Sequence, residues 1–254
     1  MESSCFAYIP PSFYILKTWV KKHSDFKQLR VQSLVTAAEI PGETPLHFKE
    51  ITIVENSPTT IRTTSTDDFG KYLFRQTRTS ETMSLLAKLL FSSNAELVAE
   101  QLKSFEIPVK TEKDLLVLPT EPERWAQEKQ FLTRWNTTMA WVIGNQEPKG
   151  KLGPQIWFEK DSFLPLRIIY APQRDGDWLD IQFENYQVSR GISFPRVIRV
   201  LKKDGSTLLN IRVTDVSTSF RKDSGHLANG FTPLGEDTPG SLKEMIQRYY
   251  EFLR

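Results

Sequence analysis

The C-terminal half of the chain alternates apolar and polar residues with a period of two, and no other feature constrains the fold as strongly. In three successive segments the apolar members share one face: Leu164, Leu166, Ile168, Tyr170, Leu179, Ile181, Phe183, Leu209, Ile211 and Val213. Successive side chains of a strand point to opposite sides of a sheet. The pattern therefore predicts a sheet with one buried face and one hydrated face, which is typical of antiparallel sheets.

Turn-forming residues divide the chain into short strands. Asp175-Gly176 and Asp204-Gly205 each stand between two alternating segments, and Asp-Gly is a strong hairpin signal. We predict strands at residues 28–40, 47–56, 59–65, 70–77, 137–144, 155–159, 164–171, 178–187, 194–202 and 207–218. Because the connections between them are short, consecutive strands are expected to pair antiparallel.

Helical spacing appears in four places. Ser12 is expected to cap a first helix over residues 12–22, and Ser241–Leu253 is expected to form an amphipathic C-terminal helix. Residues 79–105 are rich in Leu, Ala, Glu and Lys, and Asn94 is expected to divide them into two helices. The charged segment from Glu121 to Trp135 is expected to be helical or irregular. Strands with helices at mid-chain and at both ends indicate one sheet wrapped around helices.

Composition and motif content give no support for several classes of function. The 33 basic and 31 acidic residues nearly cancel, which supplies no electrostatic reason to expect nucleic acid or an anionic membrane as a partner. Cys5 is the single cysteine, so no disulfide or cysteine cluster can form within the chain. His23, His47 and His226 are scattered and are expected to be surface residues, and the motifs of the common hydrolases and nucleotide-binding proteins are absent. We therefore expect no catalysis, no metal and no cofactor.

An ordered series of weaker patterns resembles the outer-membrane lipoprotein-sorting family typified by LolA. The patterns are Gly70 to Phe74, Trp141 to Gly144, Pro154 to Phe158, Asp161 to Arg167, Ile181 to Tyr186, Gly191 to Pro195 and Ile211 to Val216. The resemblance implies an α+β fold of mainly antiparallel β structure. It would be an unclosed (half) β-barrel of about ten to eleven strands, with helices covering its concave face. Residues 1–254 would form a single domain, with an insert at 110–135 and a C-terminal extension at 221–254.

The resemblance also implies a function. A periplasmic carrier would bind the acyl chains of a lipoprotein or a lipid in a hydrophobic cavity and transfer them towards the outer membrane. The predicted cavity lining is Val31, Val35, Tyr72, Phe74, Met83, Leu86, Leu90, Trp141, Ile143, Trp157, Leu166, Ile168, Ile181, Phe183, Ile211 and Val213. The expected partners are the acylated cargo, an inner-membrane exporter and an outer-membrane acceptor, with the carrier itself a monomer. Family carriers commonly place a basic residue before the proline of the third strand, where this chain has Ser57, so their lid contact does not transfer.

Two alternatives remain open on the sequence. An envelope-sensing or regulatory module on the same fold would bind a partner protein without transferring cargo. A lipobox at Cys5 would place the protein on the outer membrane, but the preceding residues match that motif poorly. Residues 6–20 are apolar but are interrupted by Pro10-Pro11, so we expect either a cytoplasmic protein or a chain whose leader has been removed.

Overall fold

The structure is a computed structural model of the chain. It describes residues 10–37, 47–56, 59–66, 72–116, 130–144, 153–171, 178–218 and 230–231, and at 72–75, 115–116 and 230–231 it describes the backbone only. Its helices are α1 (Ser12–His23), α2 (Leu85–Phe91), α3 (Ala95–Ser104) and α4 (Glu112–Leu116). Its strands are β1 (Gln28–Ala37), β2 (His47–Asn56), β3 (Thr59–Thr66), β4 (Tyr72–Thr79), β5 (Gln130–Trp135), β6 (Thr138–Gly144), β7 (Gln155–Glu159), β8 (Pro165–Tyr170), β9 (Leu179–Ser189), β10 (Ile192–Lys202), β11 (Thr207–Ser217) and β12 (Gly230–Phe231).

All of these strands belong to one sheet. Its order is β12-β4-β3-β2-β1-β11-β10-β9-β8-β7-β6-β5, and each recorded pairing is antiparallel. The pairing of β1 with β11 joins the N-terminal strands to the C-terminal meander. Within the described residues β12 and β5 occupy opposite ends of the order, so the sheet is not closed into a barrel. The predicted unclosed antiparallel sheet with helices is confirmed.

The strands bury alternate residues because one face of the sheet packs against helices. In β1 every second side chain, from Leu29 to Ala37, is buried. In β11 Leu209, Ile211 and Val213 are buried on the same side. We call the side that packs against α1–α3 the covered face, and the opposite side the outer face.

The helices complete the core. All seven residues of α2 are buried, while α1 buries one side that includes Leu16, Trp19 and Val20. Helix α2 begins after Ser84, whose side chain accepts a hydrogen bond from the amide of Ala87. Helix α3 begins after Asn94, which accepts from the amides of Glu96 and Leu97 and confirms the predicted division of this segment.

Two local predictions are wrong. Residues 130–135 form β5, not a helix or an irregular segment, because Phe131, Thr133 and Trp135 alternate and Asn136 turns the chain at φ 55° into β6. Ser12 does not cap α1. It is buried as the first helical residue, and its Oγ accepts a hydrogen bond from the amide of Lys110 at 3.0 Å.

Other predictions fall outside the described residues: the Pro41-Gly42 and Asp175-Gly176 turns, Ser57-Pro58, Trp125 and the C-terminal helix at 241–253. The Asp204-Gly205 turn is described and confirmed. Gly205 has φ +83°, which glycine adopts without a steric penalty, and Oδ1 of Asp204 accepts from the amide of Ser206 at 2.9 Å.

Candidate functional site

Most of the predicted cavity-lining residues meet on the covered face. Twelve of the sixteen belong to one buried apolar cluster: Val31, Val35, Met83, Leu86, Leu90, Trp141, Ile143, Ile168, Ile181, Phe183, Ile211 and Val213. They come from both halves of the sheet, from α2 and, in the case of Met83, from the segment before α2, and the β1–β11 pairing joins the two halves. The apolar surface between sheet and helices is therefore the candidate binding site.

Of the other four, two have only their backbone described and two lie outside the cluster. Tyr72 and Phe74 belong to β4, where the structure describes the backbone only. Trp157 lies on the outer face, because it stands between Ile156 and Phe158, which face the core. Leu166 sits at a register shift: Arg167 pairs with Trp157 and Pro165 with Phe158, which leaves Leu166 without a partner in the ladder and outside the core cluster.

The side chains of the helices fill the covered face. Ring pairs join the two layers: Phe91 of α2 lies 5.9 Å from Phe194 of β10, and Phe105, after α3, lies 4.8 Å from Tyr170 of β8, centroid to centroid. A cavity beneath α2 measures about 10 Å³, which is enough for about one water molecule. An acyl chain can enter here only if helical side chains move away.

A polar row, which was not predicted from the sequence, crosses the covered face in β1–β3. Ser33 pairs with Glu50, and Glu50 pairs with Ser65. Thr52 pairs with Thr63 on the same face, and all five side chains are buried. The sequence does contain a sign of this row. Phe48, Glu50, Thr52 and Val54 stand two residues apart, so the two polar residues share the face of the two apolar ones. Ligand pockets commonly combine apolar walls with a few polar groups that fix orientation.

His23 corrects the prediction of three surface histidines. Its ring is buried and stacks on Trp19 at a centroid distance of 3.8 Å. Because a carbonyl oxygen only accepts hydrogen bonds, Nδ1 of His23 donates to the carbonyl oxygen of Trp19 at 2.9 Å. Burial lowers the pKa of His23 from 6.5 to about 4, so the ring is neutral at pH 7. His47 is exposed as predicted, and His226 lies outside the described residues.

Burial also shifts other groups at the interface between helices and sheet. It lowers the pKa of Lys88 in α2, which the charges of Glu100 and Glu81 oppose. It raises the pKa of Tyr170 and Tyr186, so both phenols stay protonated. The hydroxyl of Tyr186 donates to the carbonyl oxygen of Pro165 at 2.7 Å. Lys88 and Tyr170 are buried and Tyr186 is half-buried, so water is largely excluded from the first two.

A second, smaller cluster lies on the outer face around Arg167. Its guanidinium binds Asp180 through two hydrogen bonds of 2.7 and 2.6 Å, and both side chains are largely buried. The same guanidinium lies over the ring of Trp135 at 4.5 Å and over that of Trp157 at 5.5 Å. Nε1 of Trp157 donates to Gln155 at 2.9 Å. These polar groups satisfy one another, which is typical of a structural cluster.

Among the described residues no group of three or more His, Cys, Asp or Glu side chains could hold a metal ion. In the same part of the chain no helix is both long and apolar enough to cross a membrane.

Comparison with solved structures gives several similar folds. A LolA superfamily protein from Nitrosomonas europaea is 8% identical, with a TM-score of 0.43 over 84% of this chain and 96% of the other. A putative outer membrane lipoprotein-sorting protein domain from Vibrio parahaemolyticus is 8% identical, with a TM-score of 0.44 over 84% and 94%. MucB, solved in complex with MucA, is 14% identical, with a TM-score of 0.31 over 90% and 65%. No protein-family model and no curated protein matches the chain.

Proposed function

We propose that this protein is a non-enzymatic carrier that binds acyl chains of a lipoprotein or a lipid between the covered face and helices α1–α3. The observation that carries the proposal is the composition of that interface. Apart from the polar row of β1–β3, the sheet face meets three short helices mainly through aliphatic and aromatic side chains. Acyl chains bind by apolar contact and need few polar anchors. The structure described above would be the closed, unloaded form.

The helices are linked to one another by polar contacts. Nε1 of Trp19 in α1 donates to the carbonyl oxygen of Leu89 in α2 at 3.1 Å. The amide of Glu112 in α4 donates to Oε1 of Glu96 in α3 at 3.0 Å, and Lys103 of α3 forms an ion pair with Asp114 of α4. Polar contacts inside the helical layer, with apolar contacts to the sheet, would allow the layer to separate from the sheet as a unit.

Burial of an acyl chain would compensate for the contact that opening removes. Opening the layer removes apolar side chains from the sheet, and an acyl chain then replaces them with methylene groups. Each buried methylene contributes about 0.8 kcal/mol, so a chain of a dozen contributes about 10 kcal/mol. A filled covered face in the free protein is therefore compatible with lipid binding, provided that the helical layer opens.

The expected setting is the bacterial periplasm, with transfer of cargo towards the outer membrane. An inner-membrane exporter would load the carrier, and an outer-membrane acceptor would unload it. The polar row around Glu50 and Thr52 would face the polar end of the cargo, since it interrupts the apolar face at one place. Nothing in this route requires a cofactor or a catalytic residue.

The direct test is lipid content and lipid uptake. Native mass spectrometry of protein purified from the periplasm should show bound lipid, and delipidated protein should take up a fluorescent fatty acid from solution. Protein that carries no lipid and takes up no fatty acid would sink the proposal.

A matched pair of variants tests the location of the site. Phe91→Leu weakens the contact of α2 with Phe194, and a conservative change of this kind costs up to about 1.5 kcal/mol. If opening of the helical layer limits uptake, a loss of about 1 kcal/mol in the free energy of its closure should speed uptake about five-fold. The control Trp157→Phe truncates an aromatic ring on the outer face and should leave uptake unchanged. Equal effects of the two changes would contradict the assignment.

A second candidate function is a regulatory module that binds a partner protein without cargo. The observation that favours it is the filled covered face, because such a module needs no cavity. A stoichiometric protein partner recovered by affinity purification, with binding unchanged by Phe91→Leu, would support this function. Partner binding that requires prior lipid loading would instead support the carrier.

A further inference from the structure

The outward side of α1 combines exposed lysines with aromatic rings. Tyr14, Lys17, Lys21 and Lys22 are exposed, and the exposed fraction of Tyr14 is 54%, which is high for an aromatic residue. On a helix with 3.6 residues per turn these positions, together with Thr18, fall on one side. The opposite side of the same helix is buried against the core. We call this outward side, together with Phe163, the α1 surface.

Phe163 extends this surface beyond the helix. It lies in the turn between β7 and β8, with its ring centroid 6.1 Å from that of Tyr14 in an edge-to-face arrangement. Nζ of Lys22 lies 5.6 Å from the ring of Phe163 and donates to the carbonyl oxygen of Ser162 at 2.9 Å. In the closed form helix and turn therefore make one surface, and the Lys22–Ser162 hydrogen bond would break when the helical layer opens.

The turn holds Phe163 in a conformation that aromatic residues seldom adopt. Its φ is +57°, in the left-handed region. The amide of Phe163 donates to the carbonyl oxygen of Glu159 at 2.9 Å. The amide of Glu159 donates to the carbonyl oxygen of Leu164 at 2.7 Å. A glycine or asparagine would occupy this position without strain. The turn instead presents a large ring beside Tyr14.

The charge of the α1 surface differs from that of the whole chain. The chain has 33 basic and 31 acidic residues, but α1 has three lysines and no acidic residue. Lys17 lies 3.5 Å from Glu112, and both side chains are more than half exposed, so the pair is weak. Within the described part of the chain, Lys21 has no recorded ion pair. The carboxylates of the adjoining turn are those of Glu159, which accepts from the amide of Ser162, and Asp161.

We infer that the α1 surface docks on an anionic lipid bilayer. Tyrosine rings partition to the headgroup region, and phenylalanine rings to its boundary with the acyl chains. Lysine side chains extend towards lipid phosphates while their methylene stems contact apolar atoms. Rings and ammonium groups side by side on one helix match this chemistry. An acidic protein surface would account for the lysines but leaves the exposed ring of Tyr14, set against the half-buried ring of Phe163, without a role.

The inference rests on the proposed function and adds to it the place of loading. The buried side of α1 carries Trp19, which donates to α2 and packs edge-to-face on Tyr186 of the sheet at 6.3 Å. The helix that touches the membrane is thus part of the layer that must open. Docking would bring the opening of the site next to the acyl chains of the bilayer.

The test uses the full chain and vesicles of defined composition. Co-sedimentation should show binding to vesicles that contain phosphatidylglycerol and little binding to pure phosphatidylcholine, and added salt should weaken it. The double variant Lys17→Gln/Lys21→Gln should bind about thirty-fold more weakly. The control Lys202→Gln/Lys203→Gln removes two exposed lysines from the β10–β11 hairpin and should bind as the native chain does. Tyr14→Ser should weaken binding at low and at high salt alike.

Three results would overturn the inference. They are equal binding to both kinds of vesicle, an equal loss in the two lysine variants, and binding to an acidic protein without any retention on phosphatidylglycerol. Uptake of fatty acid from solution separates this inference from the proposed function. The Lys17→Gln/Lys21→Gln variant should take up fatty acid at the native rate, because its changes lie outside the covered face. Vesicle binding without fatty-acid uptake would contradict the carrier proposal alone.

Discussion

At the scale of single residues, His23 is the most informative side chain of the core. It occupies the last turn of α1, where a histidine would ordinarily be expected at the surface. Four residues after Trp19 it returns to the buried side of the helix and stacks on that ring. Nε2 of His23 is buried without a hydrogen-bond partner among the described residues, so protonation of the ring would bury an unpaired charge.

His23 makes the stability of the fold depend on pH. Its pKa is about 4 in the folded state and 6.5 ordinarily, so the unfolded chain binds more protons between these values. The stabilising contribution is therefore present above pH 6.5 and is lost as the pH falls towards 4. We expect the free energy of unfolding to fall by about 2 kcal/mol more in the native chain than in His23→Phe between roughly pH 7 and 5. Urea denaturation at both pH values measures this, and parallel losses would contradict it.

At the scale of elements, close backbone contacts decide where strands turn. Gly144 ends β6 at φ +148° opposite Gln155 of β7. A Cβ at this position would lie 2.5 Å from the carbonyl oxygen of Pro154 and 2.5 Å from Cβ of Gln155. Only glycine allows β6 and β7 to approach this closely. Gly205, in the β10–β11 turn, also has a positive φ, but a Cβ there would meet nothing within 4 Å.

The same substitution at the two glycines should therefore have different effects. Gly144→Asn should cost about 1–3 kcal/mol or more, because the new side chain overlaps the backbone of β7. Gly205→Asn should change stability by only about 0.5 kcal/mol, because asparagine tolerates the left-handed region and the space is open. Thermal or urea denaturation of both variants measures the difference. Similar costs would indicate that φ alone, and not the approach of β7, accounts for Gly144.

At the scale of the whole molecule, two layers with different connections share one core. The strands form a continuous hydrogen-bonded ladder from β12 to β5. Helices α1 and α2 are joined by the Trp19–Leu89 hydrogen bond and meet the sheet through rings such as Phe91. Cooperative opening units often coincide with such structural layers.

Native-state hydrogen exchange should detect the opening of the helical layer. We expect the amides of α1 and α2 to share one opening free energy that is lower than that of β9–β11, because separating the layers leaves the ladder intact. Fatty acid present in excess should change the protection of the helices more than that of the central strands. Helices that exchange only with global unfolding would show that the cover is fixed, and would count against the carrier.

The strands could be predicted well from the sequence because period-two alternation and turn formation depend on residues within a few positions of one another. Strands β2 and β7 have the predicted bounds, and the division of α2 from α3 falls at Asn94 as expected. Strand β5 was missed because its charged surroundings concealed a short alternation that only the pairing with β6 stabilises. Leu166 lies outside the predicted cluster because one unpaired residue in β8 shifts the alternation locally. Trp157 stands in the apolar run Ile156 to Phe158, in which the residue types alone do not show which side chains face the core.

The sequence by itself determined that the chain forms a largely antiparallel sheet with one apolar face. Alternation and turn chemistry are local properties, and twelve of the sixteen predicted site residues meet in the core for that reason. The tertiary structure alone decided that helices fill the covered face, that His23 is buried, and that Phe163 joins Tyr14 beside the lysines of α1. These depend on contacts between residues far apart in the chain, which neither composition nor period encodes. The near-zero net charge concealed a basic surface because a sum over the whole chain does not show that Lys17, Lys21 and Lys22 share one side of α1.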